Sequence, residues 1–367
     1  MSADTLLVST RKGLFVWARA GAGWKLEHHA FPGDSVTLTL VDPRDGQWYA
    51  AMNLGHFGCK LKRSADRGRS WTECAVPAYG EDDIVPVGDG KETKVAALKL
   101  IWSLAAGDAS QPGRLWAGTI PGGLFKSDDL GESWQLQREL WKQPERGSWF
   151  GGGYDEPGIH SICVDPRDAR SVRVAVSTGG VWCSNDDGES WEQTAHGMRA
   201  CYMPEGQQDT PNSQDVHQMV QCRSAPERFW VQHHCGVFRS DSNGGDWKEI
   251  TSIEPSAFGF AVAVHPDDPD TAWFVPGIKD ECRLPVDAKL VVARTRDGGK
   301  SFDVLREGLP QEHVYDLVYR HGLTVSDDGN QLAFGSTTGG VWASDDQGDH
   351  WQMLPARLPM VHAVCFA

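Results

Sequence analysis

An octad that recurs along the chain limits the folds open to it. S-N-D-D-G-E-S-W occupies residues 184–191, and the pattern Ser/Thr-x-Asp-x-Gly-x-x-aromatic returns at 64–71, 127–134, 240–247, 295–302 and 344–351. The fourth copy in chain order has Ser242 in place of Asp, and the fifth ends in Phe302. Successive terminal aromatics lie about 49 to 63 residues apart, a period that suits propeller blades. Chemically each copy reads as a hairpin. Ser and Asp side chains bond nearby backbone N–H groups, Gly supplies a positive φ, and the aromatic pins the turn to its sheet.

Each repeat also reads as four strands, giving an all-β chain. Innermost strands are expected to begin near Val36, Val95, His160, His217, Phe260 and Val314, with V-H-A-V-C-F-A from Val361 as a seventh. Residues 5–29 supply three further strands, T-L-L-V-S-T, G-L-F-V-W-A and W-K-L-E-H-H. The C-terminal strand then completes the blade that the N-terminus begins. The expected architecture is a single seven-bladed β-propeller domain over residues 1–367, its ring closed so that no sheet edge is left open.

The octads resemble the Asp-box, or BNR repeat, of sialidases, sortilin-type receptors, xyloglucanases and photosystem II assembly-factor propellers. The resemblance implies a sialidase-like or glycosyl hydrolase-like propeller, with the boxes on the outer edge of each blade, away from the axial pocket. Sialidases pair an arginine triad with a Tyr–Glu couple and an Asp. Arg11, in S-T-R-K-G, suits one member of such a triad, but two partners and an Arg-Ile-Pro motif are not found. That argues against sialidase activity. Xyloglucanases of this repeat class place their cleft between two propellers, and one is expected here.

Charge and composition narrow the partners. A net charge of −15 argues against nucleic acid. The N-terminus lacks a basic segment followed by an apolar one, and no apolar run is long enough to span a membrane, so neither a signal peptide nor a membrane partner is expected. Nine cysteines without regular spacing suggest reduced thiols and a cytoplasmic location.

Candidate site residues gather where the top face should lie. Long links are expected at 76–94, 137–158 and 195–215, with shorter ones elsewhere, and long loops in compact domains are commonly functional. Trp149, Tyr154 and Tyr202 offer aromatic platforms for a glycan or small polar molecule, with Arg11, His56, His233 and His234 as further binding candidates. Asp155 and Glu156 are candidate catalytic carboxylates with Asp215, since glycoside hydrolysis uses two such groups. His160, His217, His313 and His362 stand at or near innermost-strand starts and are candidate ligands for a divalent transition metal. Lys279, Asp280, Glu281 and Arg283 are expected to project over the rim, chiefly into solvent.

The leading expectation is a glycan or small-molecule pocket on the top face, with hydrolysis the reaction class to test. The alternatives are a non-catalytic scaffold for a protein partner and a metal-dependent enzyme using axial histidines.

Overall fold

Strands buried along their whole length, such as Thr5–Thr10, Leu115–Ile120 and Val172–Val176, require sheets covered on both faces. The computed structural model, which describes residues 3–87 and 92–367, meets that requirement with seven four-stranded antiparallel sheets. The innermost strands are Val361–Phe366, Val36–Val41, Leu100–Ala106, Ile159–Val164, Val216–Gln221, Gly259–His265 and Leu323–Val325, and they head blades 1 to 7 in that order. Each packs against the next around the ring, and the last against the first. The core sits between blades. Trp116 and Trp182 fill the space between blades 3 and 4, and Trp17 meets Val341 and Val361 between blades 1 and 7. By area, each such indole contributes on the order of 4 kcal/mol, an upper figure because the unfolded chain already hides some surface.

The octads form the turns joining the two outer strands of blades 2 to 7. In the copy at 184–191, Ser184 Oγ donates to Asp186 Oδ1 at 2.8 Å and accepts from Gly188 N at 2.9 Å. Asp186 accepts from both the backbone and hydroxyl of Ser190, at 2.9 and 2.6 Å. Two successive residues have positive φ, Asp187 at 64° and Gly188 at 92°. Every copy repeats this pair, so the fourth octad position is left-handed whether Arg67, Leu130, Asn243 or Gln347 fills it. The turn's hydrogen bonds impose that geometry on residues that would otherwise avoid it. In the copy lacking Asp, Ser242 Oγ takes over by accepting from Asp246 N at 2.8 Å.

The sequence misplaces two innermost strands. Val95 ends a separate two-stranded hairpin, Ile84–Val87 with Glu92–Val95, and the blade 3 strand starts at Leu100. Part of the expected link at 76–94 lies outside the described residues. Val314 lies in an irregular segment: Val314 and Val318 plug the core between blades 6 and 7, and the strand starts only at Leu323. Apolar alternation in H-V-Y-D-L-V-Y thus serves core packing without a ladder. Residues 306–322 become a fourth long link as a result. The cysteines also depart from expectation, for Cys201 and Cys235 form a disulfide while seven remain free. Among the described residues, no helix is long and apolar enough to cross a membrane.

Ring closure should be indispensable. Deleting residues 361–367 removes the innermost strand of blade 1 and uncovers the edge of Thr5–Thr10. The expected outcome is insoluble protein or a large loss of thermal stability; a truncated chain melting with the intact one would contradict it.

Candidate functional site

Links on one face of the ring enclose a cavity of about 840 Å³. Blade 1 supplies Arg11 and Lys12 from the turn after Thr5–Thr10, and blade 3 supplies Trp102 from its innermost strand. The link before blade 4 brings Gly152 to Tyr154, the charged loop of blade 6 brings Arg283, and the link before blade 7 brings Tyr319 to His321. No octad residue lines the cavity.

The lining is cationic although the chain is acidic. Arg11, Lys12, Arg283 and Arg320 face it, against a single carboxylate among the described residues, that of exposed Asp34. Arg320 is 6% exposed, with its guanidinium 4.7 Å from the centre of the Trp102 ring and 5.5 Å from that of Phe260. Its only protein hydrogen bond among the described residues runs from Nη2 to the Gly152 carbonyl at 3.5 Å, and Nε has no partner. Burial pulls Arg320 down to about 10, which leaves it charged at neutral pH. A buried cation without an ion-pair partner is costly, by several kcal/mol in typical cases.

Behind Gly152 lies a second polar cluster. A Cβ on Gly152 would come within 2.8 Å of Asp215 Oδ1, so glycine is what lets this link close over the carboxylate. Asp215 Oδ2 is 3.3 Å from His234 Nδ1, and Oδ1 is 3.9 Å from His217 Nε2. Burial pushes Asp215 up, but the bond to His234 and the nearby His217 and Arg320 outweigh it and hold the carboxyl well below its usual range. The same bond raises His234. Burial drives His217 down to about 3 and His233 to about 4, so both imidazoles are neutral. The disulfide sits alongside, joining the link that carries Tyr202 to the turn that follows the strand ending at His233.

The candidate residues divide accordingly. Arg11, Tyr154 and His362 line the cavity, with Tyr154 edge-on to Trp102 at 5.0 Å and His362 Nε2 3.4 Å from Ser35 Oγ. His160 is fully buried, its ring 5.3 Å from Trp102 and its Nε2 unpartnered. His313 is solvent-exposed at a positive φ of 56° in the blade 7 link, so the four histidines proposed as metal ligands do not meet. His56 is exposed, its ring tilted against that of Phe57 at 3.9 Å, and of the two only Phe57 borders the cavity. Trp149 is core, packed on Trp182 at 5.6 Å, and the bare backbone of Gly179 leaves room for its ring. Tyr202 donates its hydroxyl to the Ser213 carbonyl and meets His234 edge-on at 5.2 Å. Asp155 is exposed, and Glu156 is held between Lys94 and Lys99 at 3.0 Å each; these two amines outweigh burial and lower it. Asp155, Glu156 and Asp215 are therefore not assembled as a pair of carboxylates on the cavity.

Trp102, Tyr319, Arg320 and His321 escaped the sequence reading. The last three lie in the segment expected to be strand, and recognising 306–322 as a link would have pointed to them. Arg283, expected chiefly in solvent, is half-buried over Phe260 at 5.3 Å and bonded to Asp280 at 2.9 Å. Arg11 thus shares the cavity with two further arginines that spacing in sequence did not reveal.

No family model matches the chain. It is 23% identical over 301 residues to a probable oligoxyloglucan-reducing end-specific xyloglucanase of Neosartorya fischeri, covering 73% of this chain and 33% of the relative. The chain therefore spans about a third of the length of that curated relative. Among solved structures, it resembles the GH74 xyloglucanase of Xanthomonas campestris with a TM-score of 0.62 at 19% identity, covering all of this chain and 52% of the other. It resembles YCF48 of Cyanidioschyzon merolae with a TM-score of 0.54 at 12% identity, covering 89% and 87%. At these identities the likenesses support the propeller fold of the chain.

The neutral histidines make acid the weak side of stability. Below about pH 6.5 the unfolded chain protonates imidazoles that His160, His217, His233 and His321 keep neutral in the fold. The unfolded state then binds more protons, so stability falls as pH drops from about 6.5 toward 4, by up to about 1.4 kcal/mol per pH unit for each. His234, raised in the fold, works in the opposite sense. Urea midpoints should fall steadily from pH 7 to pH 5, and less steeply in His321→Gln; a flat profile would contradict this.

Proposed function

We propose that the chain is an Asp-box propeller of the glycosyl hydrolase-like kind that binds a carboxylate-bearing saccharide in its top-face cavity. The observation that carries the reading is Arg320, a buried cation lining the cavity with no carboxylate paired to it among the described residues. A ligand carboxylate would supply the missing charge and accept bidentate hydrogen bonds, and Arg11 and Arg283 line the same space. Trp102, Tyr154 and Tyr319 add aromatic faces suited to a sugar ring. The expectation against sialidase activity rested on missing partner arginines and a missing Arg-Ile-Pro motif. Arg283 and Arg320 now stand with Arg11 around one cavity, which bears on recognition of a carboxylate, and the motif is still not found.

The reading concerns binding. Glu156 is neutralised by two lysines and Asp215 is closed off by Gly152, so hydrolysis by that couple has no support in the geometry. A protein scaffold would be favoured by a closed channel under an exposed patch. The open cavity, with Phe57 and Tyr154 exposed at its edge, favours a small ligand.

Calorimetry with a sialic acid, a uronic acid and a neutral xyloglucan oligosaccharide tests the proposal. The acids should bind and the neutral sugar should not. Arg11→Ala, at an exposed position, and Arg320→Met should each weaken binding about 10-fold or more, as loss of a charge-assisted hydrogen bond predicts. Equal affinity for charged and neutral sugars would overturn it.

A further inference from the structure

The cluster behind Gly152 is built like a metal site. We propose that Asp215, His217 and His234 bind a divalent first-row transition metal ion. One donor atom from each residue lies within 4.8 Å of the others. Around a tetrahedral ion with bonds of about 2.0–2.1 Å, donors stand about 3.4 Å apart. His234 Nδ1 is 3.3 Å from Asp215 Oδ2 and His217 Nε2 is 3.9 Å from Oδ1, so shifts of up to about 1.4 Å bring one donor of each residue to that spacing, with the ion replacing the proton between His234 and Asp215.

Two further features point to a ligand. His217 Nδ1 is 2.6 Å from the Gly259 carbonyl, a contact that is a hydrogen bond only if Nδ1 carries the proton. Nε2 is then left with its lone pair toward Asp215, the outer-sphere arrangement that orients metal-binding histidines. Asp215 Oδ1, on a side chain only 9% exposed, has no hydrogen-bond partner, and an ion would supply one. Strand pairing fixes the geometry: Val216 pairs with His233, and His234 N donates to the Asp215 carbonyl at 2.9 Å. His234, 22% exposed on its side chain, provides the route from solvent.

Two imidazoles and one carboxylate suit zinc or ferrous iron and leave at least one coordination position open. Arg320 opposes a cation here, and the ionised carboxylate works against that repulsion. The site is independent of the saccharide reading, since none of its three ligands lines the cavity.

The full chain, disulfide intact, would be stripped with chelator and titrated with Co²⁺ and Zn²⁺. One equivalent should bind, with cobalt d–d bands and no thiolate charge-transfer band. Removing an outer-sphere partner costs about 10- to 100-fold, so losing a ligand in His234→Ala or Asp215→Asn should cost more than about 100-fold. His313→Ala should bind as the unaltered protein does. On the unaltered protein, Zn²⁺ should protect His234 from diethyl pyrocarbonate, read by peptide mass; this covers the case in which a variant fails to fold. No stoichiometric uptake, a thiolate band, unchanged affinity in folded His234→Ala, or an unprotected His234 would each overturn the proposal.

Discussion

Antiparallel pairing of the two chain ends is the constraint on which the top face depends. Leu6, Leu7 and Val8 stand opposite Phe366, Cys365 and Val364, and the register slips by a bulge at Ser9–Thr10. That bulge matters because the next residues, Arg11 and Lys12, turn into the cavity, and Arg11 N is held by the Met360 carbonyl at 3.0 Å. His362 reaches the same space from the other strand. A ring closed by any other strand would leave the cavity without part of its wall. Closure and ligand chemistry therefore share residues at the first blade.

Electrostatics then divides the molecule. With a net charge of −15, the chain still gathers Arg11, Lys12, Arg283 and Arg320 around one cavity, whereas other buried arginines are matched. Arg114 is bonded to Asp128 and Asp187, and Arg294 to Asp303 and Asp349. Arg320 is as buried as these and has no such partner among the described residues. Arg239 is likewise ion-paired, and buried Arg173 is held by several hydrogen bonds to neutral groups, so an arginine left on a cavity wall with one weak hydrogen bond has an unmet demand for a partner. Asp215 meets that demand only at a distance, with Gly152 between it and the cavity.

The repeating parts were legible in the sequence, and the site was not, for a physical reason. An octad announces itself because its hydroxyl, carboxylate and glycine all serve one turn within eight residues. Even there, the left-handed fourth position was invisible, since Arg67, Leu130 and Gln347 share no chemistry. The ring's closure could be read from apolar alternation at Val361–Phe366. Links carry no such redundancy. Tyr319, Arg320 and His321 sit in a segment whose alternation resembles a strand, and only its packing between blades 6 and 7 shows otherwise. Trp149 illustrates the reverse error, an indole in a glycine-rich link that belongs to the core, where the Gly179 backbone makes room for it.

Turns and links divide the work in a way that bears on how such a site could arise. Octad turns are satisfied by their own side chains and contribute nothing to the cavity. Each link has only to start and end at a fixed strand position, so its length and chemistry can vary without disturbing the ladder. The disulfide fits this division: it ties the link carrying Tyr202 to Cys235, in the turn that follows the strand ending at His233. The cross-link is thus placed beside the segments holding the Asp215 cluster. Order in that corner comes from the ladder at Val216 and His233 together with local contacts, among them the glycine at 152, the bond from His217 to Gly259 and the Cys201–Cys235 bridge.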